Sequence, residues 1–239
     1  MTWFPQDVSE SGFWVDRLFY LGFWLTSATF LLVVGILIYF VLRYRSREGH
    51  KAYYTHGNSR QAFLLTFSLA LLVFVVIDVN LAIHDHFAWE AIWGSAEKDK
   101  NAIHVEVMPE QFAWNVRYAG PDTKFGTEDD VVTINDLHIP LNRRVNVALK
   151  SKDVIHSFFV PNFRIKQDAV PGMVTQISLR AKRGGKFDIA CAEHCGLGHY
   201  RMRGSLTVES QEEFDSWLLN PDGKQTGAPN WGWEWGIVK

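Results

Sequence analysis

Cysteine is nearly absent: the 239 residues hold two, Cys191 and Cys195, inside one short loop. That excludes a disulfide-stapled scaffold, and it leaves no further thiol for a structural bridge or a lipid anchor. No Cys-x-x-Cys-His run occurs, so the chain attaches no covalent haem. A long basic block is missing too. Lysine and arginine number 24 against 26 aspartates and glutamates, a formal charge of -2, and no nucleic-acid footprint results. The opening residues MTWFPQDVSESG lack the basic start of a cleaved signal peptide. Internal repeats and low-complexity segments are also absent.

Two long apolar runs are present instead. Phe19–Leu42 carries no charge and reaches about 36 Å at the helical rise, enough to cross a bilayer with some tilt. Ala62–Ile83 is the second, with Asp78 and Asn80 near its end, where an interface or a partner subunit is expected. Two buried helices of a soluble protein are the alternative, but soluble cores rarely need runs this long. Between them RYRSREGHKAYYTHGNSR is rich in arginine and lysine, which predicts a cytoplasmic loop with both chain ends on the periplasmic side. His84, Asp85 and His86 follow the second run. Positions i and i+2 face apart on a helix, so these read as polar anchoring and not as a metal site.

From Ile103 the pattern changes to short alternating runs separated by turn signals, which predicts an all-β sandwich. Strands are expected near 103–108, 111–118, 131–136, 145–150, 156–160, 174–180, 186–190 and 204–208. Pro161-Asn162, Pro171-Gly172 and Gly184-Gly185 punctuate them. Asp122, Glu128, Asp129 and Asp130 surround Gly126 at a spacing that departs from a calcium loop, so a solvated acidic hairpin is expected. Ser210-x-x-Glu213 reads as a capping box opening a short helix. The tail NWGWEWGIVK holds three tryptophans in five residues, suited to packing on a neighbouring subunit or to a membrane interface.

The stretch Cys191–Met202, CAEHCGLGHYRM, concentrates the metal-binding chemistry. Thiolate, imidazole and thioether suit copper, whereas calcium or magnesium calls for oxygen. A mononuclear blue-copper site uses one cysteine; this loop has two, at Cys191 and Cys195, with His199 and Met202 behind them and His156 upstream. Two thiolates four positions apart can bridge two copper ions with one histidine for each. Met202 and a backbone carbonyl, that of Glu193, would complete the spheres. A disulfide would leave the histidine and methionine spacing unexplained, and structural zinc favours closer cysteine pairs without methionine.

These residues, His156 and then Cys-x-Glu-x-Cys-Gly-x-x-His-x-x-Met, resemble the dinuclear copper (CuA) centre of subunit II of haem-copper cytochrome c oxidases. The runs DVIHSFFVP, IKQDAVPGM and MRGSLTV are similar to that family as well. The resemblance implies two transmembrane helices plus a cupredoxin Greek-key β-sandwich. It divides the chain into an N-terminal segment and hairpin at 1–95, a periplasmic copper domain at 96–220 and a Trp-rich tail at 221–239, anchored in the cell inner membrane. It implies copper ligation by His156, Cys191, Cys195, His199, Met202 and the Glu193 carbonyl, with the Glu193 carboxylate helping to hold a magnesium shared with subunit I. His194 falls off the ligand register.

The family's electron-entry motif, often Gln-Trp-x-Trp, corresponds to Gln111-Phe112-Ala113-Trp114, which points to Phe112 and Trp114. The change at Phe112 shifts the expected cytochrome c type donor towards a membrane-bound partner in a supercomplex. Electrons would pass to haem held in subunit I, which reduces dioxygen to water. The family's glutamate at the cytoplasmic start of the second helix is missing from NSRQAFLLTF, so proton uptake through this chain is unsupported. That absence keeps a second reading open, the CuA-bearing subunit of a haem-copper nitric oxide reductase. A membrane-anchored copper-binding protein without redox duty is the third.

Overall fold

The computed structural model describes residues 3–51, 53–94, 99 and 101–220, together with the backbone of 225–226. The chain divides into a helical unit, Trp14–Trp89, and a unit formed by Met1–Phe13 with Glu90–Lys239.

The helical unit carries two long helices, α1 (Gly12–Tyr44) and α2 (Arg60–Ile92), each long and apolar enough to cross a membrane. An apolar environment leaves backbone groups no water to bond, so an unbroken helix that pairs its own amides is the structure such runs favour. Polar side chains within the helices obey the same constraint. Thr26 donates to the Gly22 carbonyl at 2.7 Å, Thr29 to Leu25 at 2.9 Å and Thr66 to Ala62 at 2.9 Å. Ser59 caps the start of α2 by accepting from the Ala62 amide. Both helices outlast the apolar runs. No glycine or proline interrupts α2 before Gly94, so His84, Asp85 and His86 lie within the helix and not beyond it.

The second unit is a β-sandwich of the expected class. Its strands are β1 (Ile103–Glu110), β2 (Ala113–Tyr118), β3 (Val131–Ile134), β4 (Asp136–Pro140), β5 (Arg144–Leu149) and β6 (His156–Val160). They continue as β7 (Ile165–Ala169), β8 (Thr175–Arg180), β9 (Gly185–Cys191), β10 (Arg203–Glu209) and the short β11 (Gln225–Thr226). One sheet runs β11-β3-β2-β1-β5-β8, the other β4-β10-β9-β6-β7. Trp114, Tyr118, Leu137, Leu149, Phe158, Ile177, Ile189 and Leu206 are buried in its core. Fully burying one such side chain contributes about 1.5–3 kcal/mol. Helix α3 (Gln211–Leu219) opens on the expected capping box and packs Phe214 and Trp217 against Tyr118, at ring distances of 6.1 and 5.3 Å.

Two elements depart from the sequence reading. The run 131–136 is not one strand: it breaks at Asn135, whose φ of 59° turns the chain from one sheet into the other. Asparagine tolerates that left-handed conformation better than most residues. Its side-chain Oδ1 accepts from the Trp114 amide at 2.8 Å, which pins the crossing point. Strand β7 is the second departure. Its Lys166, Gln167 and Asp168 show no apolar alternation, and it lies at a sheet edge where one partner, β6, suffices.

The segment before α1 belongs to the sandwich unit, although the sequence groups it with the hairpin. Val8 is 2% exposed, donates to the Asn162 carbonyl at 3.0 Å and accepts from the Lys182 amide at 2.7 Å. Glu10 reaches Arg144 at 2.6 Å and Arg180 at 3.1 Å. The tryptophan-rich tail lies outside the described residues, apart from the backbone of 225–226, which pairs with β3.

Candidate metal centre

Three pieces of chain converge at one end of the sandwich. His156 starts β6, Cys191 ends β9, and a tight loop from Ala192 to Arg201 carries Cys195 and His199 before Met202 leads into β10. Pairing of Phe158 with Cys191 sets the first two elements side by side. The loop closes back through the Cys191 amide, which donates to the Met202 carbonyl at 3.3 Å.

The donor atoms form a connected cluster. Ligand atoms of His156, Cys191 and Cys195 all lie within 4.8 Å of one another. The two sulfurs are 3.8 Å apart, a separation that is not a disulfide, and both thiols are free. Cys191 Sγ is 4.0 Å from His156 Nδ1 and 3.2 Å from the Glu193 carbonyl oxygen. Cys195 Sγ is 3.7 Å from His199 Nδ1 and 3.7 Å from Met202 Sδ. Each sulfur therefore has one imidazole and one weaker donor beside it. His156 is 0% exposed, Met202 1% and Cys195 3%.

Burial and the neighbouring Cys191 push the Cys195 thiol up to about 11. Two adjacent thiolates are therefore costly unless a cation neutralises them, and soft, thiolate-binding copper meets that need. The residues present fit a thiolate-bridged pair of copper ions.

A shell of hydrogen bonds sets the ligand orientations. His156 Nε2 donates to Asp153 Oδ1 at 2.8 Å, which leaves Nδ1 facing Cys191. Burial opposes charge on Asp153, but bonds from His156 and from the Gln111 and Val154 amides outweigh it and lower its pKa. Gln111 extends the network, its side-chain amide donating to the Cys195 carbonyl at 2.5 Å. Neither Asp153 nor Gln111 figures among the sequence-predicted site residues. The usable signal for Asp153 was an acid three positions before a ligand histidine.

Glycines explain how the loop fits. A Cβ on Gly198 would lie 2.4 Å from the Phe112 ring, and Gly196 has a φ of 131° with Gln111 Nε2 2.7 Å from its Cβ position. Phe112 thus lies on the loop backbone and remains 37% exposed. Trp114 is 0% exposed, with its ring 5.5 Å from Phe158 and 6.4 Å from His156. Leu197 and Tyr200 project from the loop, 96% and 78% exposed.

The Glu193 carboxylate points away from the sulfurs and meets Lys166 Nζ at 3.3 Å. Lys166 also meets Asp168, which accepts from Ser157 at 2.6 Å. His194 is exposed and packs at 5.6 Å from the His199 ring without joining the donor cluster.

Comparison with known proteins finds relatives of this chain. Residues 107–210 match the family model described as cytochrome c oxidase subunit II, periplasmic domain. The alternative cytochrome c oxidase subunit 2 of Bradyrhizobium diazoefficiens is 32% identical over 238 residues, covering 90% of this chain and 83% of that protein. Cytochrome c oxidase subunit 2 of Thermostichus vulcanus is 30% identical, covering 89% and 76%. A crystal structure of the periplasmic domain of subunit II of cytochrome oxidase from Bradyrhizobium japonicum shares 30% identity. It covers 50% of this chain and 93% of that one, with a TM-score of 0.43.

Proposed function

The chain belongs to the cytochrome c oxidase subunit II family, and on that premise we propose that it is the electron-entry subunit of a haem-copper oxidase. It takes electrons from a cytochrome c type donor and hands them to haem in subunit I for reduction of dioxygen to water. The observation that carries this reading is the paired-thiolate cluster, with an imidazole beside each sulfur. Bound there, a dinuclear copper centre supplies one-electron exchange.

The chain's own residues make that exchange inexpensive in reorganisation. Cys191, Cys195, His156 and His199 would hold the copper, with Met202 and the Glu193 carbonyl as weaker donors. Asp153 fixes the His156 ring, and the sandwich holds the loop at both ends, so ligands move little when charge changes. Burial of His156, Cys195 and Met202 shields the Cys195 side of the site from water, while Cys191 is half-buried.

Phe112 lies at the exposed rim of the loop and suits electron entry there; Trp114 beneath it provides an aromatic contact to His156. The Glu193 carboxylate, 45% exposed, is available for a magnesium shared with subunit I once Lys166 yields to it. The functional division is an anchor carried by 1–95, a copper domain at 96–220 into which Met1–Phe13 of that first segment is built, and a tail at 221–239 that packs on another subunit. The anchor crosses the inner membrane with both ends periplasmic.

Metal analysis and electron paramagnetic resonance on the intact complex, purified from its membrane, test the reading. The expected result is an unpaired electron shared by two copper ions, together with haem and one further copper. Non-haem iron in place of that copper would assign the chain to a nitric oxide reductase. A single copper without delocalisation would overturn the site itself.

A further inference from the structure

Asp78 lies deep in a helix that has nothing to offer it. Two contacts between α1 and α2 fix its level: a Cβ on Gly22 would lie 3.9 Å from Leu81, and the Trp14 and Phe87 rings are 5.8 Å apart. The helices run antiparallel, so Arg17 stands level with His84–His86, a polar belt. Asp78 lies seven residues further along α2, about 10 Å deeper at the helical rise, level with Phe23 to Leu25.

The neighbouring Asn80 turns its amide back to the Val76 carbonyl at 3.1 Å, as the threonines do. A carboxylate is an acceptor when ionised and cannot use that device. Among the described residues Asp78 makes no hydrogen bond or ion pair, and its side chain is exposed. Ile77, Val79, Leu81, His84 and Ala88 are the more covered positions of this stretch; Asp78 is exposed, as are Asn80, Ala82, Ile83 and Asp85. A second, independent feature marks the same place. Phe74–Val79 is π-helical within an otherwise α-helical span, a local widening found mostly at functional positions.

We propose that this face of α2 is an interface for a transmembrane helix of a partner subunit, which brings a basic side chain to the Asp78 carboxylate. Charge complementarity selects the occupant. Lipid tails leave the carboxylate unpaired at this depth, and a neutral apolar helix would do the same. The inference rests on the reading of the chain as one subunit of a membrane oxidase.

The test is affinity purification of the full chain from its membranes in mild detergent, with haem measured per copper. Two of the expected copper ions belong to this chain and one travels with haem in the partner, so copper that persists while haem falls marks a folded sandwich. Asp78→Leu and the isosteric Asp78→Asn are expected to lower the haem-to-copper ratio by about tenfold or more, because each strands a buried cation on the partner. Asp78→Glu keeps the charge and is expected to retain the ratio within about twofold. Unchanged haem with Asp78→Asn would overturn the ion pair, and unchanged haem with Asp78→Leu would overturn the interface. A wild-type chain that brings no haem would overturn the oxidase reading, and the interface with it.

Discussion

Asp153 accepts a hydrogen bond from His156 Nε2 at 2.8 Å, and that single contact decides which nitrogen of a fully buried ring faces the sulfurs. Asp153→Ala frees the tautomer and the ring torsion. Copper affinity is expected to fall about 10–100-fold, the usual cost of losing a partner of a metal-bound histidine. Competition against a chelator measures it. Asp153→Asn should recover part of the loss, since its amide oxygen still accepts.

Gly198 admits the Phe112 ring where any side chain would collide with it. Gly198→Ala is expected to displace either the ring or the loop, at a cost of about 1–3 kcal/mol. Thermal unfolding with and without copper measures that cost. A loss greater in the copper form would assign it to the loop, and an equal loss to the packing of Phe112.

His138 joins two strands and a helix. It meets Asp136 at 3.2 Å and Glu209 at 2.8 Å, and its ring stacks on Trp217 at 3.9 Å. Burial alone would lower its pKa, but the bonds to Asp136 and Glu209 outweigh burial and raise it. The stabilisation is therefore full below the unfolded value of 6.5 and is lost as pH rises through the folded one. Asp136, held low chiefly by His138, keeps its share until strongly acid pH. His138→Gln should flatten the fall in melting temperature as pH rises above 6.5.

Glu106 and Asp130, both buried, share the guanidinium of Arg117, leaving one negative charge in excess. Burial, opposed by Arg117 and aided by Asp130, pushes Glu106 up to about 7. A folded pKa above the unfolded 4.5 means that stability declines between those values as pH rises. Glu106→Gln mimics the protonated acid and is expected to remove that slope. Urea midpoints at about pH 5 and about pH 8 check it.

The cluster of thiol, imidazole and thioether donors was legible because both cysteines fall within one loop, at spacings that copper chemistry demands. The two long apolar helices were legible from length and apolarity alone. Asp153 and Gln111 were not, because their roles depend on a carboxylate and an amide meeting a loop far away in sequence. Strand β4 was hidden by Asn135 and Asp136, two polar residues that look like a strand end and are instead a crossing between sheets. At the family's aromatic motif, Trp114 is wholly enclosed and Phe112 is 37% exposed, a difference the sequence pattern does not carry.

Val8 bonds to Asn162 and Lys182, and Glu10 to Arg180, so a segment that precedes α1 closes onto strands that lie far beyond it in the chain. Synthesis runs from the N-terminus, and this segment is made before the strands that it closes onto. A sandwich made without that segment would have an unfilled slot at Val8 and lack the carboxylate that Arg144 and Arg180 share. A late seam of the sandwich is sewn with thread from ahead of the first helix.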